Sequence, residues 1–302
     1  MTDRSPLHIL QLGKPLTGKG LRALTGMDEL SLWKYCHQNP DILLKIVGKR
    51  YLRFDREVKG FARLSPSIKR EFLTYTVCGL TKDAEEISRQ AHTLTGEIQK
   101  ISQDKFQFAR DTIAKVVGSL DFCGRVNEQV CFIIAGDIVY EMAHLESRPE
   151  VSTGRLVKGS DLDIIIVAEE GFPDDLLALL DKAIYQEKYM CLIKPDIREE
   201  IDYIIKDIRK TRDQLKFDRF EHMVASKILW EGQYFDGSKR VFEQIQRMLK
   251  KFHISEKIAC LIREAEKNRE EAQMFLLKGA SRITEEESYR LFYTKEEAEE
   301  IY

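Results

Sequence analysis

The sequence predicts an α+β protein in which a small basic head, a long linking helix and a mixed-sheet core follow one another and end in charged helices. Three observations carry that prediction. Ile164-Ile165-Ile166-Val167 follows directly on Gly159-Ser160-Asp161-Leu162-Asp163, and four β-branched residues in a row mark a strand buried on both faces. Leu80, Ala84, Ile87, Ala91, Leu94, Ile98 and Ile101 recur at alternating intervals of 4 and 3, the spacing of a helical seam. Residues 1–80 hold 14 Lys and Arg against 7 Asp and Glu, a net +7, whereas the whole chain stands at −2. The expected boundaries are 1–80, 81–118, 119–240 and 241–302.

A chain of 302 residues with 43% apolar content can bury a substantial core. No apolar run approaches the roughly 20 residues that span a bilayer, and the N-terminus carries no apolar signal core, so a cytoplasmic location is expected. The cysteines (Cys36, Cys78, Cys123, Cys131, Cys191, Cys260) include no Cys-x-x-Cys pair, which argues against a disulfide framework or a zinc knuckle. The histidines show no metal-binding spacing either.

In the head, residues 21–24 and 28–36 read as short helices around Thr25-Gly26. Residues 42–47 and 51–54 read as strands about the turn Gly48-Lys49-Arg50. Two helices followed by a hairpin resemble a winged helix-turn-helix. Arg50, Arg53, Arg56 and Lys59 would then lie on or beside the wing, within reach of DNA or RNA phosphates. Such modules also serve as docking or dimerisation units, and charge alone does not choose between these uses. Ser65 or Ser67 would cap a helix over 68–78. A long helix capped by Thr81 then runs to about Gly118, and its 80–101 seam either pairs with a second copy, giving a homodimer, or packs on its own domain.

Residues 130–134 read as a strand, Ala135-Gly136-Asp137 as a turn, and 138–145 as a helix whose first amides face an anion. A polar loop, 147–158, delivers the chain to the acidic strand. Side chains alternate along a strand, so Asp161 and Asp163 project to one side, where they repel unless a cation lies between them. The plainer reading is an exposed turn that caps the preceding loop. A helix over 173–185 and a short strand at 191–193 follow. In the strand at 200–205, Asp202 faces opposite to Ile201 and Tyr203. If that strand neighbours the first, Asp202 completes a set of three carboxylates; otherwise Glu200 and Asp202 mark a solvent face. Residues 217–232 and 239–249 read as helices separated by a turn at 234–238. The charge runs at 268–271, 285–287 and 296–297 read as solvated faces.

A Gly turn opening a helix, a Gly-Ser-Asp-x-Asp strand and a later strand bearing a third acid resemble the nucleotidyltransferases of the DNA polymerase β type. The segment Ile228-Leu229-Trp230-Glu231-Gly232-Gln233-Tyr234-Phe235-Asp236-Gly237 is similar to that following the third acid in the minimal bacterial members. The resemblance covers roughly 119–240. It implies that Asp161, Asp163 and Asp202 are catalytic and hold two Mg2+ ions, for which Mn2+ can substitute, with Asp202 also deprotonating an acceptor hydroxyl. It implies further that a nucleoside triphosphate, ATP by expectation, binds at Gly136, Asp137, Gly159, Ser160 and Lys158. Asp137 stands where the family has Ser, and the 25 residues from Gly136 to Asp161 exceed the usual spacing, which shifts phosphate binding toward Ser160 and Arg155 or Lys158.

Oxygen donors suit magnesium, and charge develops on both the entering and the departing oxygen during attack on an α-phosphorus. A glycosyltransferase Asp-x-Asp would follow its apolar strand instead of preceding it, and there is no Gly-x-Gly-x-x-Gly or Gly-Lys-Ser/Thr loop. The rival reading is a nucleic-acid-binding regulator whose transferase-like half is a silent nucleotide sensor or dimerisation body.

Overall fold

The computed structural model describes residues 5–58, 60–150, 153–278 and 290–293. It is an α+β protein with several small sheets. The chain folds as two compact units. One draws its described residues from Met1–Val58, Ala62–Ile98 and Ile262–Glu299, the other from Lys59–Phe61, Gln99–Leu261 and Glu300–Tyr302. No helix among the described residues is long and apolar enough to cross a membrane.

The first unit contains α1 (Pro6–Leu12), β1 (Leu16–Thr17), α2 (Gly18–Thr25), α3 (Glu29–Gln38), β2 (Ile42–Ile46), β3 (Tyr51–Phe54), β4 (Ala62–Ser65), α4 (Ile68–Tyr75) and β5 (Thr76–Leu80). Side-chain caps start its helices: Thr17 Oγ1 accepts from Gly20 N–H at the head of α2, and Ser67 Oγ accepts from Arg70 N–H at the head of α4. A three-stranded sheet runs in the order β1-β5-β2, and a separate ribbon pairs β3 with β4. The expected hairpin between 42–47 and 51–54 is therefore absent. β2 spends its hydrogen bonds on β5, from Ile42 opposite Leu80 to Ile46 opposite Thr76, because residues 76–80 leave the expected helix and form a wholly buried strand.

The linking helix is α5 (Ala84–Gly118), entered through a 3-10 turn at Thr81–Asp83. Ile87, Ala91 and Ile98 of its seam are buried within the chain. Far along the sequence, Leu276 and Phe292 join Leu10, Leu21, Trp33, Phe72 and Cys78 in the core of the first unit. Arg269 corrects the expectation that 268–271 is a solvated face. It is buried, donates to Pro66 O at 3.0 Å and lies 3.3 Å from Glu71. The runs at 285–287 and 296–297 lie outside the described residues.

The second unit adds α6 (Cys123–Gln129), β6 (Val130–Ala135), β7 (Ser147–Pro149), β8 (Leu156–Lys158), β9 (Leu162–Ala168), α7 (Asp174–Ile193), β10 (Ile201–Asp207), α8 (Ile208–Gln214), α9 (Phe220–Glu231), β11 (Gln233–Gly237), α10 (Lys239–Lys251) and the start of α11 (Ile254–Lys278), which belongs to the first unit from Ile262 onward. Its four-stranded sheet has the order β10-β9-β6-β11, with β9 and β10 parallel and the other pairs antiparallel. One face, carrying Phe132, Leu162, Ile164, Ile166 and Ile201, packs on Ile113 and Val117 of α5 and on Leu180 and Ile184 of α7. The alternate residues Cys131, Ile133, Ile165 and Val167 are equally buried, so the central strands have no solvent face.

Four local expectations fail here for identifiable reasons. Residues 138–145 are not a helix: Gly136 (φ 72°) and Glu141 (φ 59°) turn the chain, leaving a 3-10 turn at Gly136–Ile138. Ser147–Pro149 and Leu156–Lys158 pair as β7 and β8 where a polar loop was expected. Residues 191–193 continue α7, because Leu180, Ile184 and Cys191 share one buried helical face. Residues 233–237 are a strand on β6, where the Phe235 ring lies 6.2 Å from that of Phe132, tilted at 53°.

Lys206 of β10 is buried, and its ammonium donates to Gln214 Oε1 at 2.7 Å. Burial, aided by the charge of Lys210, pushes its pKa from 10.5 down to about 8. A lysine with a depressed folded pKa binds fewer protons folded than unfolded between those values, so stability should rise with pH from about 8 to 10. The cost of holding the charge is fully present below that window. Lys206→Met should therefore raise the unfolding free energy at pH 7 by about 1–3 kcal/mol and flatten the rise, as urea unfolding at pH 7 and pH 10 would reveal.

Candidate functional site

Two of the predicted acids pair at the N-terminal rim of β9 and β10. In the parallel ladder Asp202 is the direct partner of Asp163, and on the other side Ala135, the last residue of β6, is Asp163's antiparallel partner. Directly paired residues share a face, so Asp163 and Asp202 are neighbours across the ladder, with Asp161 two residues earlier on the same chain. Asp163 occupies a central strand, while Asp202 lies on the edge strand with its side chain 54% exposed.

Gly136 closes over Asp163. A Cβ at Gly136 would fall 2.1 Å from Asp163 Oδ2, and its φ of 72° is one that side-chain-bearing residues rarely adopt. The turn is held from behind by Glu231, which the sequence reading did not single out. Glu231 Oε1 accepts from Gly136 N–H at 3.3 Å, while Oε2 accepts from Tyr140 Oη at 2.6 Å and lies 2.5 Å from Lys227 Nζ. Burial and the Glu231 charge both push the Tyr140 phenol up. The position of Glu231 at the end of α9, against a strand-turn junction far away in sequence, gave no periodic signal.

The remaining predicted groups are committed to structure. Ser160 Oγ donates to Asp137 Oδ2 at 2.8 Å and accepts from His144 N–H at 3.2 Å. Gly159 has φ 62°, and a Cβ there would fall 1.8 Å from His144 O. Lys158 Nζ donates to Asp196 O at 2.7 Å. Arg155 is exposed.

A buried ionic network, unforeseen from sequence, surrounds the rim. Arg148 of β7 donates from Nε to Gly159 O at 3.0 Å, while its Nη2 is 2.9 Å from Glu200 Oε2 and 3.7 Å from Asp161 Oδ2. The Glu200 contact is ionic, without hydrogen-bond alignment. Lys105 of α5 reaches Glu199 Oε2 at 2.5 Å and Lys158 O at 2.8 Å. Burial dominates both partners of that pair, lowering the Lys105 pKa and raising that of Glu199 against their mutual attraction. Burial also pushes the Glu200 carboxyl up to about 7; Arg148 opposes the shift, and Asp161, Asp202 and Glu150 add to it. Glu200 is thus no marker of a solvent face.

Three carboxylates are the right donor chemistry for a hard divalent cation. Two of them are met by cations of the chain itself, Asp161 by Arg148 and Asp202 by Lys188 at 2.9 Å. Among the described residues no three His, Cys, Asp or Glu side chains are gathered closely enough to hold an ion in this arrangement.

The predicted basic residues belong elsewhere. Arg50 is bound to Glu71 at 2.8 Å, which neutralises it, and Arg53 on β3 lies opposite Arg63 on β4. Arg56 is exposed in the turn after β3, and Lys59 lies outside the described residues. The chain matches no known protein family, and no curated protein is similar to it.

Gly159→Ala and Gly154→Ala make a controlled pair. Both positions have positive φ, but Gly154 has open space where Gly159 meets backbone. The first should cost at least about 2 kcal/mol more than the second in thermal or urea unfolding.

Proposed function

We propose that the second unit is a nucleotidyltransferase-type domain that transfers a nucleoside monophosphate from a nucleoside triphosphate to a hydroxyl acceptor. The observation that carries this reading is the ladder register that sets Asp202 beside Asp163. The order of parts supports it: β6, a glycine turn, the acidic strand β9, helix α7, then β10 with the third acid. Asp161, Asp163 and Asp202 would hold Mg2+, which supplies charge stabilisation at the oxygens entering and leaving the phosphorus. Asp202, on the exposed edge, is the acid best placed to accept a proton from an incoming hydroxyl. Gly136 lets backbone lie directly against Asp163, and Glu231 fixes that turn. ATP is the nucleotide to try first.

A second reading is favoured by the glycine turn itself. Ser160 and Asp137 are hydrogen-bonded to each other, and no helix opens after Gly136, so the phosphate-holding groups of the resemblance are replaced. On that reading the unit is a silent sensor attached to a nucleic-acid-binding head. The sheet order β1-β5-β2, with α2 and α3 between β1 and β2, supports a winged-helix-like head in which β3, β4 and α4 form an insertion.

Incubation with each labelled nucleoside triphosphate and Mg2+ separates the readings. Asp163→Ala should abolish label transfer while leaving circular dichroism unchanged, and transfer that survives this substitution would refute the assignment. The full-length protein should also retain DNA or RNA with an affinity that falls steeply between about 50 and 200 mM salt. A lack of retention at low salt would remove the binding role of the head.

A further inference from the structure

The two edges of the β10-β9-β6-β11 sheet are built differently. β11 is five residues long, and its register on β6 shifts between Tyr234 and Asp236, a break that disrupts the ladder an incoming strand would copy. β10 runs unbroken for seven residues, and among the described residues no strand lies on its outer side. Leu162 N–H donates to Glu200 O, so the even-numbered residues of β10 turn their peptide groups to β9. Those of Ile201, Tyr203 and Ile205 point outward. Ile204, at the middle of the strand, is 44% exposed, although its partner on β9, Ile165, is buried. Asp202 and Lys206 flank Ile204 on the same face. The buried Lys206 ammonium has the neutral Gln214 amide as its hydrogen-bond partner, and the charge that acts on it, Lys210, is of like sign.

One partner strand matches this edge residue for residue, and it is β10 itself. Laid antiparallel about a twofold axis through Ile204, two copies set Ile204 against Ile204. Tyr203 of each copy then meets Ile205 of the other, and Asp202 meets Lys206. The outward peptide groups are in register for hydrogen bonding, and each unlike charge faces its opposite. A shift of two residues either way, the smallest that keeps those peptide groups paired, puts Ile204 opposite Asp202 or Lys206 instead. We propose that β10 is a self-association edge, through which two copies of the chain pair antiparallel, centred on Ile204, and join their sheets into one. The Asp202 carboxylate of each copy supplies the countercharge that Lys206 lacks among the neighbours acting on it in its own unit. Association does not depend on the reading of the acids as ligands; on that reading, a dimer that engages Asp202 is the resting form.

Sedimentation velocity of the full-length protein over about 1–100 μM should show a species of twice the 35.1 kDa chain mass. Ile204→Lys, which sets two ammonium groups together on the axis, should raise the dimer dissociation constant at least about tenfold. Ile204→Cys places its two thiols across the axis with Cα atoms about 4.5 Å apart, within reach of a disulfide. Mild oxidation should therefore link that variant through position 204, read by mass spectrometry of the joined peptides. Tyr203→Cys is the control, since its two copies stand out of register and should not link to each other. A chain that stays monomeric up to about 100 μM would overturn the proposal. A dimer untouched by Ile204→Lys would belong to another surface, such as the 80–101 seam, and would overturn it as well. Linkage of Ile204→Cys no faster than that of Tyr203→Cys would overturn the antiparallel pairing. None of these results bears on nucleotidyl transfer, so failure here leaves the reading of the acids standing.

Discussion

Parallel pairing of β9 with β10 is the constraint on which the rest of the second unit depends. It sets Ile201 opposite Leu162 and continues residue by residue to Asp207 opposite Ala168. A shift of one residue would turn Asp202 onto the face packed by α5 and α7 and bring Ile201 or Tyr203 out of it. The apolar positions therefore secure the acidic ones: Leu162, Ile164, Ile166, Ile201 and Tyr203 choose the register because they must be buried together. Helix α7 makes the parallel connection possible by carrying the chain back along the sheet.

Around that rim the charges are arranged as alternating partners. Lys105 meets Glu199, Arg148 meets Glu200 and Asp161, and Lys188 meets Asp202. The buried members matter most, since an uncompensated charge among Lys105, Arg148 and Glu199 would be costly where water is excluded. Lys188 and Asp202 are exposed enough that their contact is weak and easily exchanged. The rim thus combines a loosely held acid, Asp202, with the buried pairs at Glu199 and Glu200.

What could be read from the sequence was what rests on short-range pattern. The β-branched run announced β9, the 3–4 spacing announced α5, and Ser67 announced the start of α4. Strand partners were less legible, because residues 42–47 fit either neighbour and only the burial of 76–80 decides for β5. Turn geometry was misread where positive φ falls on a residue such as Glu141, which carries no steric hint. Among the site residues the three aspartates were legible because an acid before or within an apolar strand is conspicuous. Arg148, Lys105 and Glu231 were not, since a single charge gives no sign of its partner until the fold brings the two together.

The first unit is built from segments far apart in the sequence. Trp33 packs 5.8 Å from Phe292, Gln38 Nε2 donates to Leu277 O, and Arg269 lies 3.3 Å from Glu71. During synthesis on the ribosome the apolar surface that Leu276 and Phe292 cover stays open until residues about two hundred positions further along have emerged. Premature termination anywhere in the second unit would thus leave the amino-terminal fold unfinished and exposed to proteases and chaperones.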